Sequence, residues 1–178
     1  MPIHSRFLPG LLAVLLSCQA PAQSVFPTLE GETTDGTTIT LPLRDTQGFS
    51  VVAVALGKKA EPLLERWYAP AYNRFVAKNG LFAGSYEVEL FLVPVFTGLN
   101  RSAYGPTMNR LRKEVDPEIA RRVVFFKGDA GPLVDALGMK DKDIPYFFVL
   151  DPQGRIIGRA SGDFSVDRLD ALEAPMLQ

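Results

Sequence analysis

Of the side chains that most readily do covalent or metal chemistry, this chain carries one cysteine, Cys18, and one histidine, His4. A thiolate at Cys18 would be a nucleophile for disulfide exchange or peroxide reduction. An imidazole at His4 would be a general base or a zinc ligand. Both lie in a segment that reads as an export signal. A short basic region ends at Arg6, and an apolar run follows from Phe7 to Leu16, broken by Pro9 and Gly10. That run is too short to span a bilayer, which takes about 20 apolar residues. It suits the hydrophobic region of a secretory signal. Two processing schemes fit. Ala20-Pro21-Ala22 is a small-x-small cleavage site, making residues 1–22 the signal. Leu15-Leu16-Ser17-Cys18 resembles a bacterial lipobox, which would make Cys18 the lipidated first residue. Under either scheme the domain at 23–178 has no free thiol, no histidine and no disulfide.

The chemistry left to that domain is narrow. Ser-His and Cys-His nucleophilic pairs are excluded, as are histidine-based zinc sites. Asp141-Lys142-Asp143 lacks the ligand count and the glycine of a calcium loop. Gly98 to Gly105 lacks the Gly-Lys-Ser/Thr ending of a phosphate-binding loop. No metal or cofactor is called for. The net charge is −1, and Arg121-Arg122 and Lys58-Lys59 are isolated basic pairs, so nucleic acid is a poor candidate partner. Lys58 and Lys59 fall between a strand and a helix, as an electropositive rim or a solvated turn. Lys59, Glu61 and Asp129 are the groups available for non-thiol catalysis. Trp67 could anchor a partner, but it falls on an apolar helix face and is expected in the core. Tyr104 falls in a loop, exposed to a partner or folded over the core.

These residues must be positioned by an alternation of strands and helices. Thr28 to Leu41 reads as a hairpin turning at Asp35-Gly36. Residues 49–56 are apolar on both faces, which marks a central strand. A helix is expected over 60–79, with Pro62 in its first turn, a kink at Pro70 and a stop at Asn79-Gly80. Val88 to Phe96 is a second buried strand. A loop over 97–106 leads to a helix over about 107–115, and Asp116-Pro117 starts a short one. A third strand spans Val123 to Phe126, and a helix over Pro132 to Leu137 ends at Gly138. Strand Tyr146–Leu150, the turn Asp151-Pro152-Gln153-Gly154 and a returning strand to Ala160 follow. Ser165 caps a final helix. The expected class is α/β, three layers, with a mixed central sheet and an N-terminal β-hairpin.

Phe26-Pro27, Asp35-Gly36 with Leu41, the strand at 49–56, and Ile-Pro-x-Phe-Phe-Val-Leu-Asp-x-x-Gly-Arg-Ile from Ile144 to Ile156 resemble the thioredoxin-like superfamily, in its exported redoxin and peroxiredoxin-type branch. The resemblance covers roughly residues 26 to 173 and implies a cis peptide bond before Pro145, presenting a backbone edge to an extended peptide. It also places the family's thiols just after the first central strand. Here that segment is Gly57-Lys58-Lys59-Ala60-Glu61-Pro62, and the thiol positions fall near Lys59 and Pro62. A weaker resemblance, through Trp67-x-x-Pro70 with Phe75 and the late Leu-Asp-x-x-Gly-Arg-Ile turn, is to thioredoxin-fold mitochondrial ATP-synthase assembly factors.

The expectation is an exported, redox-inactive thioredoxin-like domain of the cell envelope. It would bind an envelope protein or an extended peptide through Ile144, Pro145, Lys58, Lys59, Glu61 and Tyr104. The alternatives are a non-thiol enzyme at the same edge, or a degenerate homologue with a structural role. Purified mature protein is expected to reduce no insulin and consume no peroxide. Turnover in either assay would show that thiol chemistry survives without Cys18.

Overall fold

The computed structural model describes residues 24–44, 46–78 and 85–178. The expected signal segment with Cys18 and the expected helix stop at Asn79-Gly80 lie outside them. Among the described residues no helix is long and apolar enough to cross a membrane.

Strands β1 (Leu29–Thr33) and β2 (Thr38–Leu41) form the expected antiparallel hairpin. Its turn is tightened by Asp35, which accepts the Thr33 hydroxyl and the Thr37 N–H. Strand β3 (Phe49–Ala55) is central and buried on both faces, as its unbroken apolar run requires. It pairs in parallel with β4 (Val88–Pro94) and antiparallel with β6 (Tyr146–Leu150), and β6 pairs antiparallel with β7 (Ile156–Ser161). The sheet order is β4-β3-β6-β7. The third strand of the sequence reading is shorter than expected. β5 (Val124–Phe125) pairs with β1, while its neighbours Val123 and Phe126 bridge to Leu92 of β4 and to Val95 just past its end. That short segment joins the hairpin sheet to the central one.

Alternation along β3 separates two cores. Val51, Ala53 and Ala55 face helix α1 (Glu61–Ala71) and the C-terminal helix α5 (Val166–Glu173). Val52 and Val54 face the hairpin and α4 (Gly131–Leu137). Helix α4 ends at Gly138, whose φ of +68° suits a residue without Cβ. Helices α2 (Tyr104–Glu114) and α3 (Pro117–Ala120) lie between β4 and β5 in sequence. The layers are therefore the expected ones, with the hairpin sharing the second face.

Two elements depart from the sequence reading. Helix α1 runs through Pro70 and then widens into a π-helical turn at Tyr72–Val76, so the proline's missing donor is followed by altered winding. The expected loop at 97–106 is largely helical: a 3-10 helix at Gly98–Ala103 leads directly into α2. Gly105 and Pro106 suggest a loop on propensity alone. Both sit in the first turn, where proline is tolerated, and burial of Met108 favours the helix.

Trp67 fixes α1 to the sheet. It has no exposed surface, its ring lies 4.1 Å from that of Phe147, and its Nε1–H donates to the Gly162 carbonyl at 3.0 Å. Trp67→Ala is expected to lower the unfolding free energy by about 3–5 kcal/mol. The readout is urea denaturation followed by circular dichroism, because Trp67 is the only tryptophan. A loss under about 1 kcal/mol would mean that the helix is anchored elsewhere.

Candidate functional site

The strand-to-helix junction after β3 is clasped by the loop before β6. Lys59 pairs with Asp143 at 2.8 Å, and that hydrogen bond and charge raise the lysine's pKa. Beneath the pair, a Cβ on Gly57 would stand 2.6 Å from the Lys142 carbonyl oxygen, so any other residue would push the two segments apart. The loop is braced internally: the Asp143 N–H donates to Asp141, and the Asp141 N–H donates to the Tyr146 hydroxyl.

Pro145 corrects the sequence reading. The cis bond found among the described residues is Leu41–Pro42, and the bond before Pro145 is trans. Pro145 is buried and its carbonyl accepts the Gly162 N–H at 2.9 Å, extending the β6–β7 ladder by one rung. It is a strand-starting proline. The described structure already uses its carbonyl.

The open surface lies beside this junction, between α1 and the α2–α3 pair. A groove of about 370 Å³ runs over β4, floored by Leu92, Pro94, Phe96 and Val123. Glu61, Leu64, Glu65 and Tyr68 of α1 form one wall. Thr107, Arg110 and Leu111 of α2, with Val115 and Ile119, form the other. At one end it meets a cleft of about 440 Å³ lined also by Lys58, Ala103 and Pro106.

Ion pairs hold the second wall. Buried Arg122 donates to Glu89 of β4 at 2.6 Å and to Glu118 of α3 at 3.0 Å. The bond from Arg122 to Glu118, with the one from Arg121, lowers the Glu118 pKa. Arg112 donates to the Thr34 carbonyl and pairs with Glu32, and Glu32 also accepts the Tyr104 hydroxyl at 2.7 Å. α2 is thereby pinned to the hairpin.

Two groups in the groove stand out chemically. Burial raises the Glu61 carboxyl above its usual range, against the opposing charges of Lys58 and Arg110. The Tyr68 hydroxyl is buried with no hydrogen-bond partner. Burial, and then the neighbouring Tyr72, push its pKa to about 12, so it remains a protonated donor at neutral pH.

No protein-family model and no curated protein matches this sequence. Solved structures do. The exposed lipoprotein thioredoxin Etrx1 of Streptococcus pneumoniae aligns with a TM-score of 0.56 at 15% identity, over 84% of this chain and 98% of that one. The fold is thioredoxin-like. A Chlorobium tepidum protein assigned as the thiol:disulfide interchange protein DsbE gives 0.55 at 16% identity, over 87% of this chain and 94% of its own. BsSco, of the Sco family of cytochrome c oxidase assembly proteins, gives 0.55 at 10%, over 88% and 96%. At these identities the likeness is one of architecture.

The segment after β3 near which the resemblance places thiols, Gly57 to Pro62, holds no cysteine. Of the sequence-predicted residues, Lys58 and Glu61 come together at the groove. Lys59 is engaged by Asp143 instead, and Asp129 accepts the Gly131 N–H at the start of α4. The groove is lined by neither, so the grouping of Lys59, Glu61 and Asp129 for catalysis does not form there. Ile144 is half-buried beside Pro145. Tyr104 folds over the core, its ring 5.5 Å from Phe96 and 5.8 Å from Phe125, with burial and Glu32 raising its pKa to about 12. Trp67 is core, as expected.

Sequence reasoning missed Glu65, Tyr68, Arg110, Leu111 and Ile119 as wall residues. Tyr68 follows Trp67 on α1, and its position at the margin of the apolar face is not legible in the sequence. A buried hydroxyl without a partner carries a penalty of about 1–3 kcal/mol. Tyr68→Phe is therefore expected to keep or raise stability, by up to about 1 kcal/mol in urea denaturation. A clear loss of stability would show that the hydroxyl is satisfied in the free protein.

Proposed function

We propose that this protein is an exported, redox-inactive binding domain that holds a segment of a partner protein in the cell envelope and assists its assembly. The groove between α1 and the α2–α3 pair is the proposed binding surface. The observation that carries this reading is an apolar groove flanked by Glu65 and Arg110, beside a junction, Gly57 to Pro62, that carries no thiol. Concave apolar surface with a few convergent polar groups is the usual form of a binding site. Further support comes from the fold: BsSco shares it and belongs to a family of assembly proteins, so the architecture is compatible with such a role.

Export follows from the N-terminal segment, with release after Ala22 or anchoring through a lipid on Cys18 as the two forms of the mature protein. In either form no redox partner is needed, because the domain brings no thiol of its own. The expected binding edge shifts from Ile144 and Pro145 to the groove, where Lys58 and Glu61 remain part of the surface.

The test is co-purification of the tagged full-length protein from envelope fractions, with Leu111→Asp and Arg110→Glu variants alongside. A stoichiometric partner that is lost in both variants, while circular dichroism shows each is folded, is the expected result. A partner retained at full yield in both would exclude the groove. Recovery of the protein without a partner would exclude stable binding.

A further inference from the structure

We infer that the segment held in this groove is an amphipathic helix that sets basic side chains against α1 and an acidic side chain against α2. The inference rests on the binding reading above and specifies its partner. It begins with the floor. The Leu92 N–H donates to the Arg122 carbonyl at 2.8 Å, the Phe126 N–H to Pro94 at 3.1 Å and the Phe96 N–H to Phe126 at 2.8 Å. The edge of β4 is thus covered along the groove, and an extended segment finds no ladder to join. A chain entering an apolar groove must still satisfy its own backbone donors and acceptors. A helix does this internally.

The walls match that shape. Glu61, Leu64, Glu65 and Tyr68 line the groove at i, i+3, i+4 and i+7 along α1. That stretch is about 10 Å long, or two helical turns of partner. The wall charges are asymmetric: Glu61 and Glu65 on α1, Arg110 on α2, with Lys58 at the end toward the cleft. None of these four forms an ion pair with the described residues, whereas most of their charged neighbours do. Opposite charges on the two flanks of an apolar stripe fix the orientation of an incoming helix.

The experiment is selection from a random peptide library displayed on phage, using protein purified from cells expressing the full-length chain. The expected binders carry apolar residues at helical spacing, Lys or Arg on one flank, and an acidic residue on the other. As a synthetic fluorescent peptide, the best binder should lose at least tenfold in affinity on Leu111→Asp and on Glu65→Lys. Glu65 is exposed, so its variant folds irrespective of groove packing. Reselection on Glu65→Lys should replace the basic flank with an acidic one. Binders that need Leu111 but have a flank indifferent to Glu65→Lys, or that stay extended when bound, would overturn the helix while leaving the groove as a binding site. Absence of any binder sensitive to Leu111→Asp would overturn both.

Discussion

The indole of Trp67 sits at the point where the helical layer meets the sheet. It packs on Phe147 of the central sheet and stands edge-on to Phe164, with ring centroids 5.3 Å apart, and its N–H reaches the Gly162 carbonyl just past β7. One side chain therefore fixes the axial position and the rotation of α1 against two strands. Large aromatic surface with a satisfied polar tip is an effective way to do this. The consequence is on the other side of the helix. With Trp67 and Ala71 turned into the core, Glu61, Glu65 and Tyr68 are turned toward α2. The groove wall is set by the same anchor that builds the core.

A second set of contacts decides which surface is available. Gly57 lets the turn after β3 touch the 141–144 loop, Lys59 and Asp143 cover that contact, and the Pro145 carbonyl is used by Gly162. Next to it, Arg122 and Glu32 hold α3 and α2 to strands rather than to α1. The result is a closed junction beside an open groove, where Lys58, Glu61, Glu65 and Arg110 form no ion pair with the described residues. Exposed ion pairs add little stability. The Lys59–Asp143 pair is therefore more a matter of shape than of energy.

Much of the architecture could be read from sequence because its signals are local. The unbroken apolar run of β3, the Asp35-Gly36 and Asp151-Pro152-Gln153-Gly154 turns, and the caps at Asp116 and Ser165 each act within a few residues. The helix expected over about 107–115 forms, and its earlier start at Tyr104 was obscured because Gly105 and Pro106 read as loop while burial of Met108, with the Tyr104 ring against Phe96, decides the outcome. The cis isomer expected at Pro145 came from the resemblance alone and is not what the structure holds. The candidate site was the least legible part. Lys58 and Glu61 drew attention by their place after β3. Arg110, Leu111 and Ile119 lie some fifty residues further along, and only the packing of α2 and α3 brings them opposite α1.

The central claim is that the partner sits between α1 and α2 rather than at the Pro145 edge. Site-specific photocrosslinking in living cells tests it most directly, with a benzophenone side chain placed at Leu111 in one strain and at Ile144 in another. The account predicts a discrete crosslinked partner from position 111 and none from position 144. A partner captured from 144 and absent at 111 would return the binding surface to the strand edge and contradict it.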